Sequence, residues 1–275
     1  MLAVRAESEA GQTIARPCPQ CGAQQGSPVA RYSLQPWRIV KCAGCKFTYL
    51  ENPPKTESLA GEFAWEKQVG AERQRRLVER PKLTWLDGKT RWRIKLFPED
   101  EPRWFAKIFS PGRVLDVGCG RGRWIPRNYV PFGIDISAER AREANKRMSA
   151  RGGRAIQAAA IDGLAQFPDH YFSGVVLRSY LEHETDPKPV LREVARVMAD
   201  DGAAFVRVPN FGSVNRIVMG RNWCGFRYPD HVNYFSLGSL RRMASECGMR
   251  LKLLNPVTLP FDDNIKAILT KSVRH

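Results

Sequence analysis

From residue 111 onward, short apolar blocks alternate with longer segments whose apolar positions recur every three or four residues. Val114–Val117, Pro131–Asp135, Ala155–Ala159, Gly174–Arg178 and Ala203–Val208 have the length and apolar character of strands buried on both faces. Ala138–Ala150, with Ser137 as its N-cap, carries helical spacing, as does the run from Asp186-Pro187 through Leu191 and Val194 to Val197. A helix near Leu237–Cys247 then precedes Met249–Leu254 and Ile265–Thr270, the last two strands. Strands alternating with helices predict an α/β domain over 111–275, with helices on both faces of one sheet. Pro209–Phe235 interrupts the alternation with a loop dense in polar and aromatic residues, among them Asn210, Asn215, Arg216, Trp223, Asp230, Asn233 and Tyr234. Leaving the carboxyl end of a strand, it is placed to wall a substrate site.

The first 110 residues follow other rules. Residues 1–15 read as a disordered tail, and 16–52 as a small ribbon with strands at Val29–Leu34, Trp37–Val40 and Phe47–Tyr49. Asn52-Pro53-Pro54 ends that module. Residues 57–80 read as a charged helix stopped by Pro81, and 82–110 set Trp85, Trp92, Phe97, Trp104 and Phe105 among Arg and Lys. Basic residues interleaved with aromatics suit single-stranded nucleic acid. They suit equally a helical cap, aromatics inward and cations outward. Ten acidic residues among the thirteen basic ones of 51–110 favour the cap.

Composition adds bounds. The chain has 275 residues, enough for one α/β domain and a small module. The excess of basic residues, 44 − 28 = +16, is spread along the sequence and favours an anionic partner without choosing one. No apolar run reaches the roughly 18 residues of a membrane span, and residues 1–30 lack the apolar core of a signal peptide. The expectation is a cytoplasmic protein; the oligomeric state stays open. Four of seven cysteines fall in two pairs, Cys18-Pro-Gln-Cys21 and Cys42-Ala-Gly-Cys45, with twenty residues between. That spacing places four thiolates tetrahedrally around one Zn²⁺, and a closed set of four points to a structural ion. Gly22 and Gly44 suit the turns that aim N–H groups at the sulfurs.

The chemistry centres on Asp116-Val117-Gly118-Cys119-Gly120-Arg121-Gly122. A strand that breaks into glycines and opens a helix lets a ligand approach the backbone closely. A dinucleotide loop needs its third glycine at position 123, where Arg123 stands. The observed D-x-G-x-G-x-G resembles motif I of the class I S-adenosylmethionine (SAM) methyltransferases. The order V-V-x-x-x-x-L-E-H, D-P, V-L-R-E-V-A-R-V, D-G over 175–202 is similar to the same family. The resemblance implies a seven-stranded Rossmann-like sheet closing on an antiparallel pair. It further implies that Gly118, Cys119, Gly120 and Gly122 meet the methionyl part of SAM, with Asp116 organising the loop or holding the ammonium group. Asp135 takes the ribose hydroxyls, beside Ile136; Ile161 and Asp162 hold the adenine, and Arg178 completes the cofactor set.

With its N-terminal four-cysteine module the chain looks like the subfamily that includes sugar C-methyltransferases. Those enzymes use a tyrosine and a histidine on the loop after the fifth strand. Tyr228-Pro229-Asp230-His231 supplies that pair, so His231 is the candidate base and Tyr228 its partner. His231 as a loop-internal hydrogen-bonding residue is the competing reading, and His183 reads as architectural. The large C-terminal domain of the sugar enzymes is not expected here, which leaves the substrate open. A small-molecule or glycan acceptor, such as a nucleotide-linked sugar, is expected. RNA or protein methylation and a non-catalytic SAM-fold interaction protein are the alternatives.

Overall fold

The computed structural model describes residues 13–54, 74, 75, 77–79, 81, 82, 85 and 101–272. Most of the expected tail and cap, including Trp92 and Phe97, lies outside the described residues.

The ribbon begins with β1 (Gly26–Pro28), β2 (Ile39–Cys42) and β3 (Thr48–Leu50), successive antiparallel neighbours. Val29–Leu34 is not a strand: Ala30–Tyr32 makes a 3₁₀ turn. The fourth strand of this sheet comes from far along the chain. β9 (Asn233–Tyr234), inside the expected substrate loop, pairs antiparallel with Thr48 and Tyr49. Alternation along β2 and β3 gives this sheet two buried faces. Val40 and Tyr49 join the main core, whereas Ile39 and Leu50 pack with Trp223, Phe226, Tyr228 and Tyr234 of the loop. Ribbon and loop are therefore one packed body.

The main sheet comprises β4 (Arg113–Val117), β5 (Val130–Asp135), β6 (Arg154–Gln157), β7 (Phe172–Arg178), β8 (Met198–Pro209), β10 (Met249–Leu253) and β11 (Asn264–Lys271). Their order is β10-β11-β8-β7-β4-β5-β6, with β11 antiparallel to β8 and β10 and every other pairing parallel. This is the expected seven-stranded α/β sheet. β4 has β5 on one side and β7 on the other, so the chain winds both ways from it. A crevice opens at such a switch point, beyond the carboxyl ends of the strands.

Among the described residues, four helices of eight residues or more cover the sheet. In α1 (Glu101–Ile108), Phe105 is buried against Phe109 and Tyr129, and Trp104 stacks on Phe205 at 4.4 Å. This end of the cap does turn its aromatics inward. α2 (Ala138–Ser149) is capped by the Ser137 hydroxyl, which accepts from the Arg140 N–H, and buries Ala141, Ala144 and Met148. α3 (Pro187–Val197) buries Val190, Leu191, Val194 and Val197, and α4 (Leu237–Glu246) starts at a Ser236–Ser239 capping box. The helix expected directly after the glycine turn is absent: residues 118–129 run irregularly into β5. Among the described residues, no helix is long and apolar enough to cross a membrane.

Candidate active site

A cleft of about 1150 Å³ opens at the switch point. One end is built by the turn after β4 and the end of β5. Gly118 and Gly120 take positive φ, +75° and +54°. A Cβ on Gly118 would stand 2.9 Å from the Tyr180 ring, so that position needs glycine for conformation and for space. Gly122 does different work from the expected one. It is off the cleft wall, and a Cβ there would press on Ala144 of α2 at 3.0 Å, so it serves packing.

Asp135 closes this end. Its Oδ2 accepts from the Gly120 N–H at 2.8 Å and its Oδ1 from the Ser137 N–H at 2.9 Å. Burial raises its pKa, against the pull of those two donors. The carboxylate is held at the rim with its remaining lone pairs available to two hydroxyls. Asp116 lies below it. Burial pushes this carboxyl up to about 7; the Arg178 charge works downward and the Asp135 charge upward. The Arg178 guanidinium lies 3.4 Å over the Trp124 ring. Cys119 and Ile136 also line the cleft. Ala158, Ala159 and Ala160 form the wall beyond them. Ile161 and Asp162 fall just past the wall, in the short helix Ala160–Leu164.

The opposite end gathers residues from β7, β8 and the insertion. Glu182 and His183 follow β7, Arg207 lies on β8 in register with Arg178, and Arg227, Asp230 and His231 come from the insertion. His183 Nδ1 meets Asp230 Oδ1 at 2.8 Å, while Arg227 Nη2 donates to Asp230 Oδ2 at 2.6 Å and lies 3.4 Å from His183 Nε2. Burial works against the Asp230 carboxylate, but His183 and Arg227 bring it down to about 2. His183 is raised: burial lowers it, and the Asp230 charge more than offsets that. His231 stands edge to face with His183, centroids 4.8 Å apart, and its Nδ1 is fixed on the Gly225 carbonyl at 2.8 Å. Burial, Arg227 and His183 drive its pKa well below the ordinary value. A base must gain a proton, and this imidazole is held neutral. His183 therefore belongs to the site as fully as His231 does.

Tyr228 does not belong to it. Its ring stacks on Phe226 in the second cluster, off the cleft wall, and its hydroxyl donates to the Tyr32 carbonyl. The Tyr-x-x-His spacing puts these two residues on opposite sides of the loop. Most other aromatics of 209–235 are likewise core, with Trp223, Phe226, Tyr234 and Phe235 buried. Residues 262–264 form a turn in which Asp262 Oδ1 accepts from the Asn264 N–H at 2.9 Å. No local motif marks Arg207 or Arg227. Glu182 was within reach as the acidic member of Leu181-Glu182-His183.

The four ribbon cysteines converge as their spacing implies. Their sulfurs all lie within 4.8 Å of one another, with Cys18–Cys45 and Cys21–Cys42 at 3.5 Å. The Gln20 and Cys21 N–H groups face the Cys18 sulfur, and those of Cys45 and Gly44 face Cys42. The left-handed positions are Gly22 and Lys46, each just after the second cysteine of its pair, and not Gly44. Burial pushes the Cys18 thiol far up, while backbone donors and neighbouring thiols bring Cys42, against burial, down to about 7. Four sulfurs this close, with N–H donors aimed at them, fit a tetrahedral ion.

Known proteins agree on the fold. Residues 90–253 match the family described as methyltransferase domain. An uncharacterised protein of Methanocaldococcus jannaschii is 27% identical over 162 residues, covering 57% of this chain and 76% of its own. A ubiquinone biosynthesis O-methyltransferase of Idiomarina loihiensis is 32% identical over 127 residues, covering 44% of this chain and 49% of its own, so the match spans about half of that enzyme. The crystal structure of a SAM-dependent methyltransferase from Archaeoglobus fulgidus superposes with a TM-score of 0.50 at 19% identity, over 62% of this chain and 90% of that one. A matched domain over more than half the sequence, on a fold whose glycine turn faces an acid-closed crevice, leads to one conclusion: the chain belongs to the methyltransferase-domain family.

Proposed function

We propose that the protein transfers the methyl group of SAM to a small-molecule or glycan acceptor, and that a structural Zn²⁺ sits among Cys18, Cys21, Cys42 and Cys45. SAM supplies a methyl activated by its sulfonium. Asp135 would take both ribose hydroxyls, and the Gly118–Gly120 backbone with Asp116 and Arg178 would hold the methionyl part. Ile136 and the wall at Ala158–Ala160, with the N–H groups of Ile161 and Asp162 beyond, would flank the adenine. The chain mainly has to align donor and acceptor.

The observation that carries the small acceptor is the depth of the groups at the far end of the cleft. Glu182, Asp230 and His231 there are 1%, 5% and 4% exposed. Groups this buried suit a single hydroxyl, amine or acidic carbon better than a folded macromolecular surface. Arg207 and Arg227 there favour an acceptor with negative charge, as a nucleotide-linked sugar or a surface-polysaccharide precursor has. His183 and His231 line this end, beside the place where the acceptor's reacting atom would sit. Reduced thiols holding a metal fit a cytoplasmic setting.

The test uses purified protein, SAM labelled in its methyl group, and a cell extract separated into small-molecule, lipid-glycan, RNA and protein fractions. Label is expected in the small-molecule or glycan fractions. Label confined to RNA or protein would move the substrate site from the cleft to the basic surface. Steep loss of binding with salt would accompany an RNA acceptor.

A further inference from the structure

Besides the cysteines, a second set of ligating side chains meets in this molecule. One ligand atom each from Glu182, His183 and His231 lies within 4.8 Å of the others. They come from two segments brought together by backbone: the Val232 and Asn233 N–H groups both donate to the Glu182 carbonyl, at 2.7 and 3.1 Å. Glu182 is buried, and its Oε2 has no hydrogen-bond partner. An unsatisfied buried carboxylate oxygen is costly and calls for a cation or a proton.

Both imidazoles are already fixed by their far nitrogens. Asp230 Oδ1 engages His183 Nδ1 and the Gly225 carbonyl engages His231 Nδ1, each at 2.8 Å. A carboxylate or carbonyl on one ring nitrogen is what sets the tautomer and aim of a ligating histidine, leaving the Nε2 lone pair for the metal. Asp230 is itself oriented by Arg227, so the outer shell is complete on that side. Two imidazoles and one carboxylate, with a cleft on the open side, form the donor set of three-ligand sites that keep a position for substrate or water.

We propose that Glu182, His183 and His231 bind a divalent cation of the zinc, cobalt or iron class at the acceptor end of the cleft. The existence of this site does not depend on the methyltransferase reading. Its role does: the open position would take an oxygen of the acceptor and hold it toward the donor methyl. Arg227 is the opposing group, because its guanidinium reaches toward the same His183 lone pair. The ion takes that lone pair while Arg227 keeps its shorter bond to Asp230.

The experiment titrates Co²⁺ into protein whose ribbon is loaded with Zn²⁺, following metal stoichiometry and the visible spectrum. One Co²⁺ per chain is expected, with the bands of nitrogen and oxygen ligation and no thiolate charge transfer. D230N should weaken it about 10–100-fold, E182Q and H231N more, and R227Q should tighten it by removing the competing cation. SAM affinity and thermal unfolding, measured on the same variants, separate a lost ligand from a misfolded chain; D230N removes only an outer contact and carries the test if the others fail to fold. No Co²⁺ bound, thiolate bands, or undiminished binding in folded E182Q, H231N and D230N would each overturn the site. Wild-type protein that binds Co²⁺ but not SAM would leave the metal site standing and sink the methyl-transfer reading alone.

Discussion

The two ends of the cleft are made in different ways. The cofactor end comes mainly from two short segments, residues 116–124 and 135–140, with Ala158–Ala160 and Arg178 beside them, and rests largely on backbone N–H and carboxylate groups held by adjacent strands. The acceptor end draws Glu182, His183, Arg207, Arg227, Asp230 and His231 from three segments, and the last three lie on a loop held by its pairing with the ribbon through β9 and by the hydrogen bonds of Val232 and Asn233 to the Glu182 carbonyl. The first end is fixed by strand register. The second is fixed by a tertiary packing event, so it can be lost while the first survives.

Breaking the ribbon separates the two most sharply. Cys42→Ser removes one of four converging thiols, and the free energy a structural zinc supplies is about 10–16 kcal/mol. The mutant should lose the near-ultraviolet signal of buried Trp37 and Trp223, and methyl transfer with it, while calorimetry still detects SAM binding. Simultaneous loss of SAM binding would show that the ends form one cooperative unit.

A smaller effect probes the cofactor end alone. The Asp116 carboxyl titrates near 7 in the folded chain, against 3.8 for the ordinary group. Between those values the folded state binds the extra proton, so ligand-free stability falls as pH rises from about 4 to about 7. The full swing is on the order of 4 kcal/mol. Asp116→Asn should flatten that dependence, make the ligand-free protein more stable at pH 8, and weaken SAM binding. An unchanged pH profile in denaturant melts would refute it.

Asp135→Asn should cost about 1.5–3 kcal/mol of SAM affinity, the range for a hydrogen bond to a charged group. Isothermal titration reads this directly, and an affinity within twofold of wild type would remove Asp135 from the ribose. Tyr228→Phe should change least. It deletes one buried hydroxyl bond, about 1 kcal/mol of stability, and should leave kcat nearly untouched; a collapse in kcat with a normal melting temperature would return Tyr228 to the chemistry.

The sequence revealed what is local. The strands of the main sheet, the helix cap at Ser137, the cysteine pairs and Asp135 each follow from spacing or from one neighbour. What it concealed depends on where a loop goes. Tyr228 and His231 are three residues apart, yet one enters the core beneath the ribbon and the other the cleft wall, because the intervening backbone turns rather than running as a strand. Val29–Leu34 had the composition of a strand but supplies a 3₁₀ turn, whose Tyr32 fills the cluster beneath the loop. Gly122 looked like part of a ligand loop and is a contact for α2. Glu182 meets His231, forty-nine positions away, a contact that no local pattern encodes.

Arg16 sets a condition on the order in which these parts can be completed. Its guanidinium donates to the carbonyl of Thr185 at 2.6 Å and to Asn233 Oδ1 at 3.1 Å, across 169 and 217 residues, and its Nε donates to the Leu50 carbonyl at 3.0 Å. During synthesis the ribbon emerges first, yet the third ribbon strand keeps an open edge, and this arginine lacks most of its acceptors, until residue 233 has left the ribosome. Contacts of such separation close late and slowly. The N-terminal module is therefore the first part made and the last part finished, and a chain released early would carry an exposed strand edge in place of an acceptor site.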